Sequence, residues 1–368
     1  MKNFESSFIS VLLLLSICYC SFGQIKNLNG KEITSSEIDT FIKAQMDSLK
    51  MQGLSIAIIN KGKIVYHNAF GVSNAETRDK INEQSIFEGA SISKPVFAYF
   101  VMRMVDKGVL ALDTPLFKYM PYPDIEKDER YKAITARMVL SHQSGFPNWR
   151  HNIDIADSNL HVKRGELYLK FNPGTKFSYS GEGYLYLAKV VAHLNNCTLQ
   201  TLDSVFQQQV VLPLKMRHAS FVKNTYISQH KVTGHENERV ALYQVDPSFF
   251  NPASSLQTDA LSYAQFIIAM MNGSGLTNKS YNEMLKPQVM LEKDNNLTGN
   301  GVYAWGLGLA IRKTPFGVMY EHGGSNGNFQ SMFMFSKTNK NGYVFLTNCD
   351  KGNVFDNVLV KFLTNGSL

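Results

Sequence analysis

The chain has 368 residues, of which 44% are hydrophobic and 18% are charged. This length and this apolar content exclude a peptide hormone, a disulfide-stapled miniprotein and a disordered chain. The formal net charge is +7, but the sequence has no run of five or more lysines and arginines, so it does not indicate a nucleic-acid partner. The excess of positive charge fits, at most, a carboxylate-bearing substrate.

Residues 1–23 have the pattern of a signal peptide. Lys2 precedes an apolar run, and a small-x-small pattern that ends at Gly23 is typical of a cleavage site. The run is too short to predict a membrane span, so we expect a periplasmic or secreted protein with no stable span after cleavage. A lipid anchor on Cys18 or Cys20 is the alternative. Two further cysteines, whose pairing the sequence leaves open, are Cys197 and Cys349.

Predicted strands are concentrated at the two ends of the chain. An amphipathic helix over residues 35–51 is followed by a buried strand over 53–59 and, after a turn, by a returning strand over 63–67. Most of the apolar spacing in residues 92–290 is helical. The chain ends in an amphipathic helix over 354–363. Before that helix, strands are predicted over 305–311, 317–321, 329–335 and 343–347.

The simplest assembly joins the two strand-rich ends into one sheet covered by helices. This α+β arrangement has a discontinuous sheet domain of residues 24–88 and 291–368 and a mostly helical domain of residues 89–290. We expect the active site in the cleft between the two domains.

The sequence lacks the patterns of two common cofactor sites. No His-x-His or His-Glu-x-x-His pattern indicates a zinc hydrolase, and no Gly-rich loop ending in Lys-Ser or Lys-Thr indicates a nucleotide site. We therefore expect a protein that uses neither a metal nor another cofactor.

Residues 323–327 match the Gly-x-Ser-x-Gly pattern of a nucleophile elbow. An elbow needs a helix directly after the serine and a histidine further along the chain. A predicted strand follows Ser325 instead, and His322 is the last histidine of the sequence. The pattern therefore predicts a Gly-rich turn between strands.

A Ser-x-x-Lys pattern opens a strongly amphipathic helix at Ser91 and Lys94. Pro95 belongs in a first helical turn, so the helix is predicted to begin near Ile92, with Ser91 at its positive end. Residues three apart share a helix face, and a desolvated lysine can act as a base, which makes an activated nucleophile one interpretation. A simple helix cap beside a solvated lysine is the other. The same pattern recurs at Ser220/Lys223 and Ser228/Lys231 without such a helix.

Two further segments carry candidate functional residues. Tyr179 lies in residues 177–181, just before a helical segment, where it is either a structural residue or a proton relay whose pKa a nearby lysine lowers. Residues 321–325 end a predicted strand, and their paired glycines allow a ligand to approach the backbone closely.

Taken together, these motifs resemble those of a known family. Residues 91–94 (Ser-Ile-Ser-Lys), 179–181 (Tyr-Ser-Gly) and 322–324 (His-Gly-Gly) are similar, in order and spacing, to the three motifs of the penicillin-recognising serine hydrolases. The most similar group comprises class C β-lactamases, D-alanyl-D-alanine carboxypeptidases and related esterases. The resemblance implies an antiparallel sheet flanked by helices with an inserted all-helical domain. Other segments that resemble family landmarks are 53–71, 112–115, 134–145 and 305–308.

The resemblance also implies roles for single residues. Ser91 is the nucleophile, Lys94 its general base, and Tyr179 the group that passes the proton to the leaving group or activates the water. For the third motif, the resemblance implies a role in substrate binding for His322, Gly323 and Gly324. The backbone N–H groups implied for the oxyanion hole are those of Ser91 and Ser325.

One position departs from the family pattern. The second motif usually ends in an asparagine that contacts the substrate's amide group, and Gly181 stands there instead. The resemblance as a whole predicts a serine hydrolase that acts on an ester or an amide, in a small-molecule or peptide substrate. A true β-lactamase or D,D-carboxypeptidase is one alternative, and a sensor that traps an acyl group without hydrolysis is another.

Overall fold

A computed structural model describes residues 25–152, 162–244 and 247–366. The predicted signal peptide, with Cys18 and Cys20, lies outside the described residues. Within the described ranges, no helix has both the length and the apolar character needed to cross a membrane.

An antiparallel sheet of eight strands forms the centre of the protein. The strands, in chain order, are β1 (Ile25–Lys26), β2 (Glu32–Ile33), β3 (Gly53–Asn60), β4 (Lys63–Gly71), β5 (Phe87–Glu88), β6 (His235–Glu236), β7 (Arg239–Val240), β8 (Gln257–Thr258), β9 (Val289–Met290), β10 (Val302–Trp305), β11 (Ala310–Thr314), β12 (Gly317–Ser325), β13 (Gln330–Phe335) and β14 (Gly342–Thr347). The order in the central sheet is β4-β3-β14-β13-β12-β11-β10-β9, and the other strands form short pairs.

The helices pack on both faces of this sheet. They are α1 (Ser35–Leu49), α2 (Ser93–Asp106), α3 (Ala136–Leu140), α4 (Gly181–Leu194), α5 (Leu202–Phe206), α6 (Leu212–Leu214), α7 (Thr225–His230), α8 (Ala260–Asn272), α9 (Asn278–Leu285) and α10 (Gly352–Thr364). The first of them begins at a capping box, in which Thr34 and Glu37 satisfy each other's backbone N–H groups.

Side chains that alternate along β3 divide the core between the two faces of the sheet. Leu54, Ile56 and Ile58 pack with the terminal helices α1 and α10. Ala57 and Ile59 point the other way, into the larger cluster that contains α2, α4 and α8. The pairing of β3 with β14 joins the two ends of the chain in one sheet, as predicted.

The described structure differs from the sequence prediction in three places along the strands β9 to β12. The single strand predicted over 305–311 is wrong, because β10 ends at Trp305 and a turn leads into β11 at Ala310. Leu307 and Leu309 are both buried, so the sequence has the alternating pattern of a strand although these residues lie in a turn. Gly308 adopts φ +84° in that turn. The edge strand β9 lies just before residue 291, where the second part of the sheet domain was predicted to begin. Strand β12 continues to Ser325, past its predicted end at residue 321, so the turn predicted over 323–327 begins only after Ser325. The division into two domains stays a prediction.

The two cysteines of the described chain do not form a disulfide. Cys197 and Cys349 are both free thiols, and Cys349 is fully buried. Cys349 therefore acts as a small apolar residue of the core.

Candidate active site

Ser91 lies in a 3₁₀ turn between β5 and α2. The turn covers Ala90–Ile92, and α2 begins directly after it at Ser93, close to the start predicted at Ile92. Ala90 has φ +49°, a conformation that costs a residue with a Cβ atom about 1–2 kcal/mol. The surrounding contacts therefore hold the turn in place, and one of them is the hydrogen bond that Tyr263 donates from its hydroxyl to the Ile92 carbonyl, at 2.8 Å.

Lys94 is fully buried below Ser91. Its Nζ lies 3.2 Å from Ser91 Oγ and 2.9 Å from the carbonyl oxygen of Ala253. Burial lowers the pKa of Lys94 to about 7, because the charged ammonium loses its water. A large share of Lys94 is therefore uncharged near neutral pH and can accept the Ser91 proton.

Tyr179 lies between Lys94 and His322. The ammonium of Lys94 is 4.6 Å from the centre of the Tyr179 ring, and the Tyr179 hydroxyl is 3.5 Å from His322 Nε2. Burial raises the pKa of Tyr179, and a hydrogen bond with Ser91 offsets this only in part. The lowered tyrosine pKa considered from the sequence is therefore not present, and Tyr179 is a phenol that can donate or relay a proton.

His322 is a neutral hydrogen-bond acceptor towards Tyr179. Its Nδ1 lies 2.7 Å from the carbonyl oxygen of Gly323, which can only accept, so Nδ1 carries the proton and Nε2 is free to accept. Burial and the nearby charge of Lys94 lower the pKa of His322 to about 3, against a small opposite effect of the Gly323 carbonyl. The imidazole therefore keeps Tyr179 oriented without adding a positive charge.

Replacing Tyr179 with phenylalanine tests its part in the chemistry. We expect turnover of an activated ester to fall by about 10²–10⁴-fold, the usual contribution of a positioned proton donor or acceptor. The ring contacts remain, so the melting temperature should stay near that of the wild type. A wild-type rate in the Tyr179→Phe variant would remove this residue from the mechanism.

The third motif ends β12 and passes directly beside the Ser91 turn. A Cβ atom on Gly324 would lie 2.9 Å from the backbone nitrogen of Ser91, so no larger residue fits without a shift. From β13, Ser331 Oγ donates a hydrogen bond of 2.7 Å to the Gly89 carbonyl. These contacts set the position of the Ser91 N–H relative to Ser325, the last residue of β12.

Glu88 is a functional candidate that the sequence analysis missed. Its side chain is fully buried, and its two oxygens lie 2.7 Å from Lys231 Nζ and 2.6 Å from Asn326 Nδ2. Glu88 thus connects the strand before Ser91 to the turn after Ser325. In the sequence, Glu88 stands out only because it is an acidic residue in a strand that is otherwise apolar.

The sequence analysis also did not single out His142, although this residue lies in the segment 134–145 that resembles a family landmark. Its ring centre is 4.2 Å from that of Tyr179 and 5.2 Å from that of Trp305. The Ser180 N–H donates to His142 Nδ1, so Nε2 carries the proton, and this atom has no hydrogen-bond partner among the described residues. Burial, with smaller effects of nearby charges, keeps the pKa of His142 well below its usual value.

One cleft of about 1220 Å³ brings most of the predicted site together. Lys94 is not part of its lining, because it lies beneath Ser91. Within the described ranges, no group of three or more His, Cys, Asp or Glu side chains is placed to hold a metal ion. The predicted site residues that line the cleft are Ser91, Tyr179, His322, Gly323, Gly324 and Ser325.

Comparisons with known proteins extend over much of the chain. The family described as Beta-lactamase matches residues 38–363. "Protein flp" of Staphylococcus aureus (strain MW2) is 25% identical over 211 residues, which are 55% of this chain and 41% of that protein. "Esterase EstB" of Burkholderia gladioli is 27% identical over 206 residues, which are 51% of this chain and 52% of that protein. The chain thus spans about half the length of these curated relatives.

Solved structures support the fold. A penicillin-binding protein homologue from Pyrococcus abyssi, described as octameric, superposes with a TM-score of 0.72 at 21% identity, over 86% of this chain and 74% of that one. A crystal structure described as SurE also has a TM-score of 0.72, at 19% identity over 90% of this chain and 76% of that one. With the family match over most of the sequence, the chain belongs to the β-lactamase family, which includes esterases and penicillin-binding protein homologues.

Proposed function

We propose that the protein is a serine hydrolase that transfers an acyl group from an ester or a peptide amide to water through a Ser91 acyl-enzyme. The observation that carries the proposal is the 3.2 Å approach of Lys94 Nζ to Ser91 Oγ, with burial lowering the lysine pKa to about 7. A serine hydroxyl is a weak nucleophile by itself, and an adjacent neutral amine can remove its proton.

The proposed reaction assigns a step to each of the groups around Ser91. Lys94 accepts the Ser91 proton as Oγ attacks the substrate carbonyl, and the N–H groups of Ser91 and Ser325 hold the oxyanion. The proton then passes through Tyr179 to the leaving group as its bond to the carbonyl carbon breaks. In the second half, water loses a proton to the same groups and attacks the ester, which releases the acid and restores the Ser91 hydroxyl.

Among the possible substrates, simple esters fit this site better than β-lactams. Gly181 offers no side-chain amide for an acylamino group, and one of the relatives is named an esterase. The signal peptide predicted over residues 1–23 supports a periplasmic or secreted location for this activity.

Mass spectrometry after incubation with a fluorophosphonate, a p-nitrophenyl ester and benzylpenicillin tests the proposal. We expect the fluorophosphonate to add to wild-type protein once, and Ser91→Ala to abolish both the adduct and the ester turnover. Ser228→Ala is a matched control, because this exposed serine also begins a Ser-x-x-Lys match. Its variant should label and turn over like the wild type.

Each reagent separates the alternatives. Rapid release of hydrolysed penicillin would assign a β-lactamase, whereas stable Ser91 adducts without any turnover would assign a sensor. If wild type and Ser91→Ala behave alike with all three reagents, Ser91 is not the nucleophile.

A further inference from the structure

Tyr179 lies in a segment that has no regular secondary structure. Residues 175–180 form neither a helix nor a strand, and α4 begins only at Gly181. The Tyr179 hydroxyl nevertheless has a defined place, 3.5 Å from His322 Nε2 and in a hydrogen bond with Ser91. Because no helix or strand fixes this segment, contacts with another part of the chain must hold it.

His142 binds the backbone on both sides of Tyr179. The Ser178 N–H donates to the His142 carbonyl oxygen at 2.8 Å, and the Ser180 N–H donates to His142 Nδ1 at 3.1 Å. The imidazole also packs against the Tyr179 ring, with 4.2 Å between the ring centres and 33° between the ring planes. The carbonyl, the ring nitrogen and the ring face of one residue thus contact three consecutive residues of the segment.

These contacts go together with an unusual backbone conformation at His142. The residue directly follows the end of α3 and has φ +57°, in the left-handed region that residues with a Cβ atom rarely adopt. Such a conformation persists only where the surrounding structure enforces it, and it is concentrated at functional sites. The hydrogen bonds from Ser178 and Ser180 are contacts that enforce it.

The imidazole of His142 is a neutral acceptor. A backbone N–H can only donate, so Nδ1 must be unprotonated to accept from Ser180. Burial keeps the pKa of His142 well below its usual value, so the ring stays in this state at neutral pH. His142 does not line the cleft, whereas Tyr179 does. An effect of His142 on the reaction must therefore pass through a neighbour, and Tyr179 is the cleft residue that its ring contacts.

We propose that His142 is the positioning residue of Tyr179: by holding the N–H groups of Ser178 and Ser180, it keeps the phenol hydroxyl within reach of Ser91 and His322. This inference rests on the proposed function, because it concerns the proton relay of that reaction. A group that transfers a proton must be placed accurately, and a displacement of about 1 Å can lower a rate about 10²-fold.

The test compares ethyl butyrate with p-nitrophenyl butyrate, because their leaving groups differ in basicity. Ethoxide needs a proton as it leaves, whereas p-nitrophenolate leaves without one. We expect His142→Gly to lower kcat/KM about 10²-fold for the ethyl ester and by a smaller factor for the p-nitrophenyl ester. Glycine adopts a positive φ without strain, so this variant removes the imidazole and leaves the turn intact. Tyr179→Phe should show the same order of the two esters.

Two amide variants test the acceptor itself. His142→Asn places Oδ1 where Nδ1 lies and tolerates a positive φ, so its kcat/KM for the ethyl ester should return to within about tenfold of the wild type. His142→Gln carries its amide one bond further out and should behave like His142→Gly. This variant provides the test if His142→Gly does not fold. Lys215→Gly is a matched control, because Lys215 has φ +59° after α6 and is exposed, and it should keep the wild-type rates.

A double-mutant cycle separates positioning from a general effect on the fold. Without the phenol hydroxyl, holding the segment in place gives no advantage to proton transfer. The variant His142→Gly/Tyr179→Phe should therefore match Tyr179→Phe within about threefold in kcat/KM for the ethyl ester. A general effect on the fold would lower the rate by the same factor in both backgrounds.

Equal losses for the two esters would overturn the inference, and so would a His142→Gly loss of the same size with and without the Tyr179 hydroxyl. Wild-type kcat/KM in folded His142→Gly or His142→Gln would overturn it as well, as would a His142→Asn protein as slow as His142→Gly. If the wild type shows no Ser91-dependent turnover of either ester, the proposed function itself fails. Ser91-dependent turnover that these substitutions do not change leaves the proposed function in place and rejects only the role of His142.

Discussion

Replacing Lys94 with methionine is expected to lower kcat/KM for ester hydrolysis by about 10²–10⁴-fold, because the variant loses the proposed general base. In the wild type the rate should rise with pH through about 7, where Lys94 loses its proton, and then level off. The residual rate of the variant should lack this step. A rate that rises in the same way in both proteins would assign the step to another group.

The same substitution should change how stability depends on pH. The pKa of Lys94 is about 7 in the folded protein and near 10.5, the usual value of an exposed lysine, when the chain is unfolded. Between these values the unfolded chain binds one more proton, so the free energy of unfolding should rise with pH from about 7 to 10.5. Below pH 7 both states bind this proton, and Lys94 adds no slope.

Urea unfolding at a series of pH values measures this contribution. Lys94→Met should lack it, whereas Lys279→Met, which removes an exposed lysine, should retain it. If the wild type and Lys94→Met show the same dependence over this range, Lys94 keeps its proton in the fold.

Replacing Gly324 with alanine is expected to lower kcat by about 10²–10³-fold, the usual cost of a lost oxyanion donor. The new methyl group would lie 2.9 Å from the Ser91 nitrogen, against backbone that cannot rotate away. Either β12 or the 3₁₀ turn must shift, which moves the Ser91 N–H from its place in the proposed oxyanion hole. Overpacking of this kind also destabilises a protein by about 1–3 kcal/mol.

The neighbouring glycine is a matched control for this experiment. A methyl group on Gly323 would lie 3.5 Å from Met332 Sδ and 3.9 Å from the Ser331 carbonyl oxygen, which are ordinary contacts. Gly323→Ala should therefore keep kcat within a few-fold of the wild type. Steady-state kinetics and thermal unfolding of both variants give the comparison. A wild-type kcat for Gly324→Ala would show that this contact does not position the Ser91 N–H.

Much of the fold and the core of the site could be predicted because they depend on local patterns. The apolar run of β3 and the helical spacing of α1 and α10 are visible in short windows of sequence. Pro95 predicts where α2 begins, and therefore that Ser91 and Lys94 share one face. Their separation by three residues made the contact that the structure contains one of two interpretations, and the resemblance to the family favoured it.

The parts that could not be predicted depend on residues that are far apart in the chain. Glu88 meets Asn326 across 238 positions, and no local pattern indicates that pair. The ring of Trp149 lies against Gly181, and this contact likewise depends on the fold of an irregular segment. The direction of the Tyr179 pKa shift follows from burial, which the sequence does not reveal.

The pairing of β3 with β14 has a consequence for the synthesis of the protein. β14 lies between β3 and β13 in the sheet, although it follows every other strand of the described residues. A nascent chain therefore contains Ser91, Lys94 and Tyr179 long before His322 and Gly324 are made. Contacts between such distant segments form slowly, because the loop between them must close first. The cleft around Ser91 can therefore be completed only after β12 has been synthesised and has reached the 3₁₀ turn.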